Sequence, residues 1–175
     1  MKIKYAINDS PFGRLLMGAT RQGICAVSLG DKDQGLVEFL CLEFPGAELE
    51  ADQTGLKETV GIILDYLSGR QLHLDLPLDI RATTFRLKVY EALKAIPYGE
   101  TRSYEEVAQA IGSPKAVRAV GSACANNPVA LVIPCHRVVR KDGSLGGYRW
   151  GMGRKVKLLE MERENESGFY PSKVD

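Results

Sequence analysis

The stretch Ser103-Tyr104-Glu105-Glu106-Val107-Ala108-Gln109-Ala110-Ile111-Gly112-Ser113-Pro114-Lys115-Ala116-Val117-Arg118-Ala119-Val120-Gly121-Ser122-Ala123-Cys124 decides how the second half of the chain folds. Ser103 with Glu106 three residues later is a capping box, and Val107, Ala108 and Ile111 form the apolar face of the short helix it opens. Gly112 ends that helix. Ser113 then offers an N-cap with Pro114 at the first helical position, and Val117, Val120 and Cys124 stripe a second helix. Two short helices joined by a Gly-containing turn are a helix-turn-helix pattern, and the second one carries Lys115 and Arg118. Its small residues Ala116, Ala119 and Gly121 admit it close to another surface, either a nucleic-acid groove or a neighbouring helix.

Working outward, Thr84 is expected to cap a helix carrying Phe85, Val89, Leu93 and Ile96, stopped by Pro97 and the turn Pro97-Tyr98-Gly99-Glu100. The first 80 residues read differently. Lys2 to Ile7, Arg14 to Ala19 and Gly23 to Leu29 are β-favouring runs separated by turn signals, an antiparallel meander. Leu36, Phe39 and Leu40 suggest a short helix; Leu56, Val60, Ile63, Leu64 and Leu67 give a longer amphipathic one. Leu72, Leu74, Leu76, Leu78 and Ile80 alternate strictly, the pattern of a strand burying one face. The expected fold class is α+β. A small N-terminal domain with an antiparallel sheet spans residues 1–80, a mainly helical, winged-helix-like domain spans 81–165, and a flexible tail spans 166–175.

The chain of 175 residues is long enough to bury a real core, and it has neither the roughly 20-residue apolar run of a membrane span nor a signal-peptide core. A cytoplasmic protein with no membrane partner is expected. The net charge of +1 conceals segregation: between Ser113 and Lys157 nine basic residues face Asp142 alone, a net +8, whereas residues 1–112 sum to −4 and residues 158–175 to −3. A segregated basic stretch is the footprint of a nucleic-acid or phosphate-binding face, with an ordinary solvated surface as the alternative. Cys25, Cys41, Cys124 and Cys135 are too widely spaced for a CxxC motif, and with only His73 and His136 available no metal site is expected. Cys25 and Cys41 lie inside apolar patterns and read as buried structural thiols.

Cys135 differs. After Asn126-Asn127-Pro128 an apolar run, Val129 to Ile133, leads into Pro134-Cys135-His136-Arg137-Val138-Val139, which holds a thiol beside an imidazole and a guanidinium. Such neighbours raise thiolate character and hence nucleophilicity.

At these residues the chain resembles the methylated-DNA–protein-cysteine methyltransferases, the O6-alkylguanine-DNA alkyltransferases. The similarity is strong over residues 82–162, through Ser103-Tyr104, Pro114 to Gly121, the Pro134 to Val139 motif and Gly147-Tyr148-Arg149-Trp150-Gly151; it is looser at Asp9 to Gly13 and Leu76 to Asp79. The resemblance implies a ribonuclease-H-like N-terminal domain and a single-turnover repair reaction without a cofactor. Cys135 would accept the alkyl group of an O6-alkylguanine, with O4-alkylthymine as a further substrate to consider. His136 would take the thiol proton through a water. Glu162, or Glu160 if the register is shifted by two, would orient His136. Tyr104 would donate toward N3 of the departing base, and Arg118 would fill the space left by the flipped nucleotide. The same resemblance makes Asn127 the brace of the active-site turn, Tyr148 one wall of the base pocket, and the main chain near Val138 the reader of the guanine edge. Arg149 stands where some members have Ser, which leaves the O6 contact unassigned, and Cys124 is expected to line the pocket without reacting. The expected partner is double-stranded DNA carrying the lesion, bound by a monomer, and the activity is repair without gene regulation.

Three other readings compete with this one: a sequence-reading regulator, a cysteine hydrolase built on Cys135 and His136, and a catalytically dead alkyltransferase-like protein. The small and apolar composition of the Pro114 to Cys124 helix disfavours the first, and the presence of Cys135 disfavours the last.

Overall fold

The structure, a computed structural model, describes residues 1–166, so the expected tail lies outside the described residues except for Glu166. The chain divides into two compact units, one made of residues 1–80 with Pro128–Val132, the other of residues 81–127 and 133 onward.

In the first unit the three β-favouring runs form β1 (Lys2–Ser10), β2 (Gly13–Ala19) and β3 (Ile24–Gly30), paired antiparallel in sequence. The Ser10 hydroxyl closes the β1–β2 turn by donating to the Gly13 carbonyl at 2.7 Å. Leu36 and Leu40 form the buried stripe of α1 (Asp33–Glu43) and pack with Ile3, Leu16, Cys25 and Ala26. Cys41 corrects the expectation of a buried thiol: it follows Leu40 by one residue, about 100° around the helix, and is exposed. A strand not foreseen, β4 (Glu48–Ala51), pairs parallel to β1 and completes a sheet of order β3-β2-β1-β4. The longer amphipathic helix is α2 (Lys57–Leu67), with Val60, Ile63, Tyr66 and Leu67 buried.

The alternating run from Leu72 to Ile80 forms no strand; it touches β3 through one isolated bridge, Ile24 to Leu78. Two backbone bonds flank that bridge, Ile24 to the Pro77 carbonyl at 2.9 Å and Asp79 to the Ile24 carbonyl at 2.8 Å. Pro77 has no N–H to donate, so a ladder cannot run through it. The segment is an irregular strap in which Leu72, Leu74 and Leu76 are half-buried while His73, Asp75 and Pro77 between them are exposed.

The second unit contains α3 (Thr84–Lys94), β5 (Arg102–Ser103), α4 (Tyr104–Ala110), α5 (Val117–Ala125), β6 (Val138–Val139) and α6 (Met152–Glu166). Thr83, not Thr84, caps α3 by accepting from the Arg86 amide at 3.2 Å. The Ser103–Glu106 capping box forms as expected and opens α4. The next helix starts later than expected. Ser113 bonds back to the Ala108 carbonyl and accepts from Ala116, forming a turn, so α5 begins at Val117 with Ala116 before it and no side-chain cap. Lys115 therefore precedes the helix, and Arg118 and Ala119 are exposed in its first turn. β5 and β6 pair parallel, with Arg102 opposite Val138 and Ser103 opposite Val139, which places the start of α4 beside the residues that follow Cys135. No helix among the described residues is long and apolar enough to cross a membrane.

Candidate active site

Cys135 opens a single turn of 3-10 helix, Cys135–Arg137, at the end of the apolar run. Its side chain lines a cleft of about 780 Å³ together with Tyr104, Gly121, Cys124, Gly146, Tyr148 and Arg149. The residue is only 5% exposed. Burial pushes the thiol up to about 11, against the opposing effects of a hydrogen bond from Asn127 and the positive charges of Lys155 and Arg149. The Asn127 amide nitrogen donates to the sulfur at 3.3 Å and to the Ile133 carbonyl at 2.9 Å. Asn127 thus ties the chain before the active-site segment to the nucleophile itself, which a brace of the turn alone would not require.

Behind the thiol lies a buried charged cluster. His136 Nε2 is 2.8 Å from Glu162 Oε2, and Arg137 grips the same carboxylate with both prongs, Nε to Oε1 at 2.8 Å and Nη2 to Oε2 at 2.9 Å. The third guanidinium contact, Nη1 to the Ile96 carbonyl at 2.8 Å, anchors the cluster to the end of α3, and the guanidinium lies over the Tyr98 ring. Glu162 also accepts from the Gly99 amide at 3.4 Å. Gly99 sits at φ +83° in the turn closed by Glu100 N to the Pro97 carbonyl, a backbone state that glycine adopts without penalty. Burial alone would raise the Glu162 carboxyl, but His136 and the bidentate Arg137 outweigh it and hold the carboxyl far below its usual range. Burial lowers the His136 imidazole despite Glu162, leaving it neutral and able to accept a proton.

Of the two candidate carboxylates, Glu162 is the one in contact with His136, while Glu160 is exposed two positions away on α6.

One residue of this site, Lys155, escapes the sequence reading, where it enters the basic stretch as surface charge; Arg137, expected as a neighbour of the thiol, turns to Glu162 instead. Lys155 is fully buried and donates to the Val138 carbonyl at 2.8 Å and the Gly147 carbonyl at 3.3 Å, clamping the loop that forms the cleft wall. A signal is present: Lys155, Leu158, Leu159 and Glu162 fall at i, i+3, i+4 and i+7, and those four are the buried positions of α6.

Tyr104, the first residue of α4, lies against Gly146 with its hydroxyl end: a Cβ there would meet the hydroxyl oxygen and lie 2.9 and 3.0 Å from ring carbons Cε2 and Cζ. Burial raises the Tyr104 hydroxyl to about 12, so it remains a proton donor. Tyr148 stands edge-on to His136 and to Trp150, with ring centroids 6.5 and 5.3 Å apart. Arg149, for which the sequence leaves the O6 contact unassigned, donates from Nη1 to the Asn127 carbonyl at 2.8 Å, and its guanidinium lies over Trp150. Val138 presents its carbonyl to Lys155. Cys124 lines the cleft, and burial pushes its thiol far up, so it stays protonated. Gly121 faces Tyr104 across the cleft, whereas Lys115, Arg118 and Ala119 lie on the exposed side.

Comparison with known proteins matches this arrangement. The family model described as 6-O-methylguanine DNA methyltransferase, DNA binding domain, fits residues 84–164, and the model described as its ribonuclease-like domain fits residues 3–80. The bifunctional transcriptional activator/DNA repair enzyme Ada of Escherichia coli is 49% identical over 95% of this chain, which spans 47% of the length of that relative. The inducible methylated-DNA–protein-cysteine methyltransferase of Bacillus subtilis is 40% identical over 86% of this chain and 85% of its own. Among solved structures, the O6-methylguanine methyltransferase of Mycobacterium tuberculosis covers 93% of both chains at 35% identity and a TM-score of 0.78; the protein from the same organism described as OGT in complex with DNA gives 36% and 0.77 over 92% of this chain and 93% of its own. With both halves matched and the cysteine site assembled, the chain belongs to the 6-O-methylguanine DNA methyltransferase family.

Proposed function

We propose that the protein repairs O6-alkylguanine in double-stranded DNA by transferring the alkyl group once and irreversibly to Cys135. The observation that carries this reading is the buried chain of Cys135, His136, Glu162 and Arg137 behind an open cleft, with the Asn127 amide on the sulfur. Relatives named methylated-DNA–protein-cysteine methyltransferase, at 39–40% identity over most of both chains, support the same chemistry.

A base stacked in a duplex is out of reach of a recessed thiol, so the damaged nucleotide enters the cleft extrahelically, with Arg118 on the exposed face of α5 taking its place in the stack. Lys115 and Ala116, in the turn that leads into α5, and Ala119, exposed in its first turn, face the DNA backbone, and Gly121 leaves room beside Tyr104. The base stands against Tyr148, with main-chain groups near Val138 at its edge. His136 Nε2 is committed to Glu162, so exchange with the thiol falls to Nδ1, by way of a water. As the proton leaves, the sulfur attacks the alkyl carbon. The S–C bond forms, the C–O6 bond breaks, and the electron pair returns to the guanine. Tyr104 donates toward N3 and lowers the barrier to departure of the anion. The sum is a thiol and an O6-alkylguanine giving a thioether and guanine, with no external oxidant or cofactor. Displacement at a saturated carbon forms no acyl intermediate, which separates this site from a hydrolase triad despite the similar Cys-His-Glu order. Acting on chromosomal DNA, such a protein belongs in the cytoplasm with the chromosome and works as a monomer.

Incubation with an O6-methylguanine duplex, followed by peptide mass spectrometry, tests the proposal. One methyl per protein on Cys135, with no further turnover, is expected; an unmodified Cys135 at one-to-one stoichiometry refutes it.

A further inference from the structure

Arg149 is half-buried in the wall of the cleft, and its guanidinium donates to the Asn127 carbonyl at 2.8 Å. The side chain of that same Asn127 holds the Cys135 sulfur at 3.3 Å and the Ile133 carbonyl at 2.9 Å. Three residues far apart in sequence are thus linked guanidinium to carbonyl and amide to sulfur. The guanidinium also lies over the Trp150 ring, 6.0 Å from its centroid.

We propose that Arg149 is a positioning residue for the Cys135 nucleophile, fixing the Asn127 amide on the sulfur and holding its positive charge in the wall of the cleft that Cys135 also lines. The inference rests on the reading of Cys135 as the alkyl acceptor. An anion forming in a site this dry is stabilised by charges and dipoles already in place. Two cations bear on the sulfur, Lys155 from α6 and Arg149 from the loop before it. The remaining titratable groups that face it are Tyr90, Tyr104, Tyr148 and Cys124, all held protonated by burial, and its neighbour His136, whose charge balance is set by Glu162 and Arg137. Removing Arg149 takes away one of the two cations and loosens the donor that touches the sulfur. A Lys in its place keeps the charge and one donor.

The test reads the thiol without DNA. The full chain and its R149M, R149Q and R149K variants are labelled with iodoacetamide across pH, and the rate at Cys135 is followed by peptide mass spectrometry beside a thermal melt of each protein. R149M and R149Q are expected to move the midpoint of the profile upward by about half a unit to one unit, a loss of about threefold to tenfold in rate at any pH below it. R149K is expected to restore at least half of that displacement. A simple structural brace would lower the melting temperature and leave the profile in place, and that result, or a Lys variant no better than Met, overturns the inference. Methyl transfer from an O6-methylguanine duplex is measured in parallel. Wild type failing to take the methyl while the profile moves would remove the functional reading and leave the positioning role; the converse would remove only the latter.

Discussion

Replacing Glu162 by Gln probes the buried cluster most directly. The carboxylate is 1% exposed and receives two charge-assisted bonds from Arg137, at 2.8 and 2.9 Å, and one from His136 at 2.8 Å. A neutral amide keeps the shape, but it leaves the Arg137 guanidinium buried without its counter-charge and presents an NH2 group toward donors. Breaking a buried pair from one side costs about 3–5 kcal/mol. For a chain of this size about 2–4 °C of melting temperature accompanies each kcal/mol, so a fall of roughly 6–20 °C is expected. Glu160→Gln, on the exposed side of the same helix, is the internal control and should stay within about 0.5 kcal/mol of wild type. The pH dependence has a definite sign. The folded state holds the Glu162 carboxyl well below its usual value of 4.5, so its contribution is complete above that value and is lost as pH falls below it. Thermal melts of both variants and wild type between pH 7 and pH 3 should therefore show the deficit of the Glu162→Gln protein at its largest near neutrality and shrinking in acid. Equal melting of the two variants, or a deficit below about 1 kcal/mol at neutral pH, would refute this reasoning.

Gly146→Ala should place a methyl group in the Tyr104 ring and displace it, slowing methyl transfer by at least about tenfold, on the scale of a lost general acid, while the fold is kept. An unchanged single-turnover rate would show that Tyr104 is not needed there. Arg118→Ala should slow repair of duplex DNA far more than reaction with free O6-methylguanine base, because only the duplex requires flipping; equal losses in a competition assay would rule out that role. Duplex affinity should fall with salt no more steeply than a log–log slope of about −4.5, since Lys115, Arg118, Arg140, Lys141 and Lys157 are the five exposed cations of the basic stretch. A titration giving about −8 would mean that all nine cations of the stretch meet phosphate, the half-buried Arg149 and Arg154 and the inward-facing Arg137 and Lys155 included.

That last prediction marks where sequence reading reaches its limit. Local signals are legible because they act over a few residues: the Ser103–Glu106 box opens α4, and the Val60, Ile63 and Leu67 stripe lies buried on α2. His136, the residue after Cys135, contacts Glu162, and the Asn127 amide reaches the Cys135 sulfur. Nonlocal facts are not legible. The net +8 treats every cation alike, and only the fold shows Arg137 turned onto Glu162 and Lys155 onto backbone carbonyls. The alternation from Leu72 to Ile80 is a true burial pattern, yet alternation does not supply hydrogen-bonding partners, and Pro77 breaks the ladder. β4 escapes notice because Glu48–Ala51 is polar and short, and its pairing partner, β1, lies far back in the chain.

The position of Glu162 on the last described helix carries a consequence for the gene. A stop codon placed anywhere between the codons for residues 138 and 161 would leave the Pro134 to Arg137 signature intact, so a motif search would score the product as functional. That product would lack the carboxylate on which His136, Arg137 and the Gly99 turn converge. The shortest reading frame that encodes the whole buried cluster therefore runs at least through codon 162, well past the signature by which such a frame would be found.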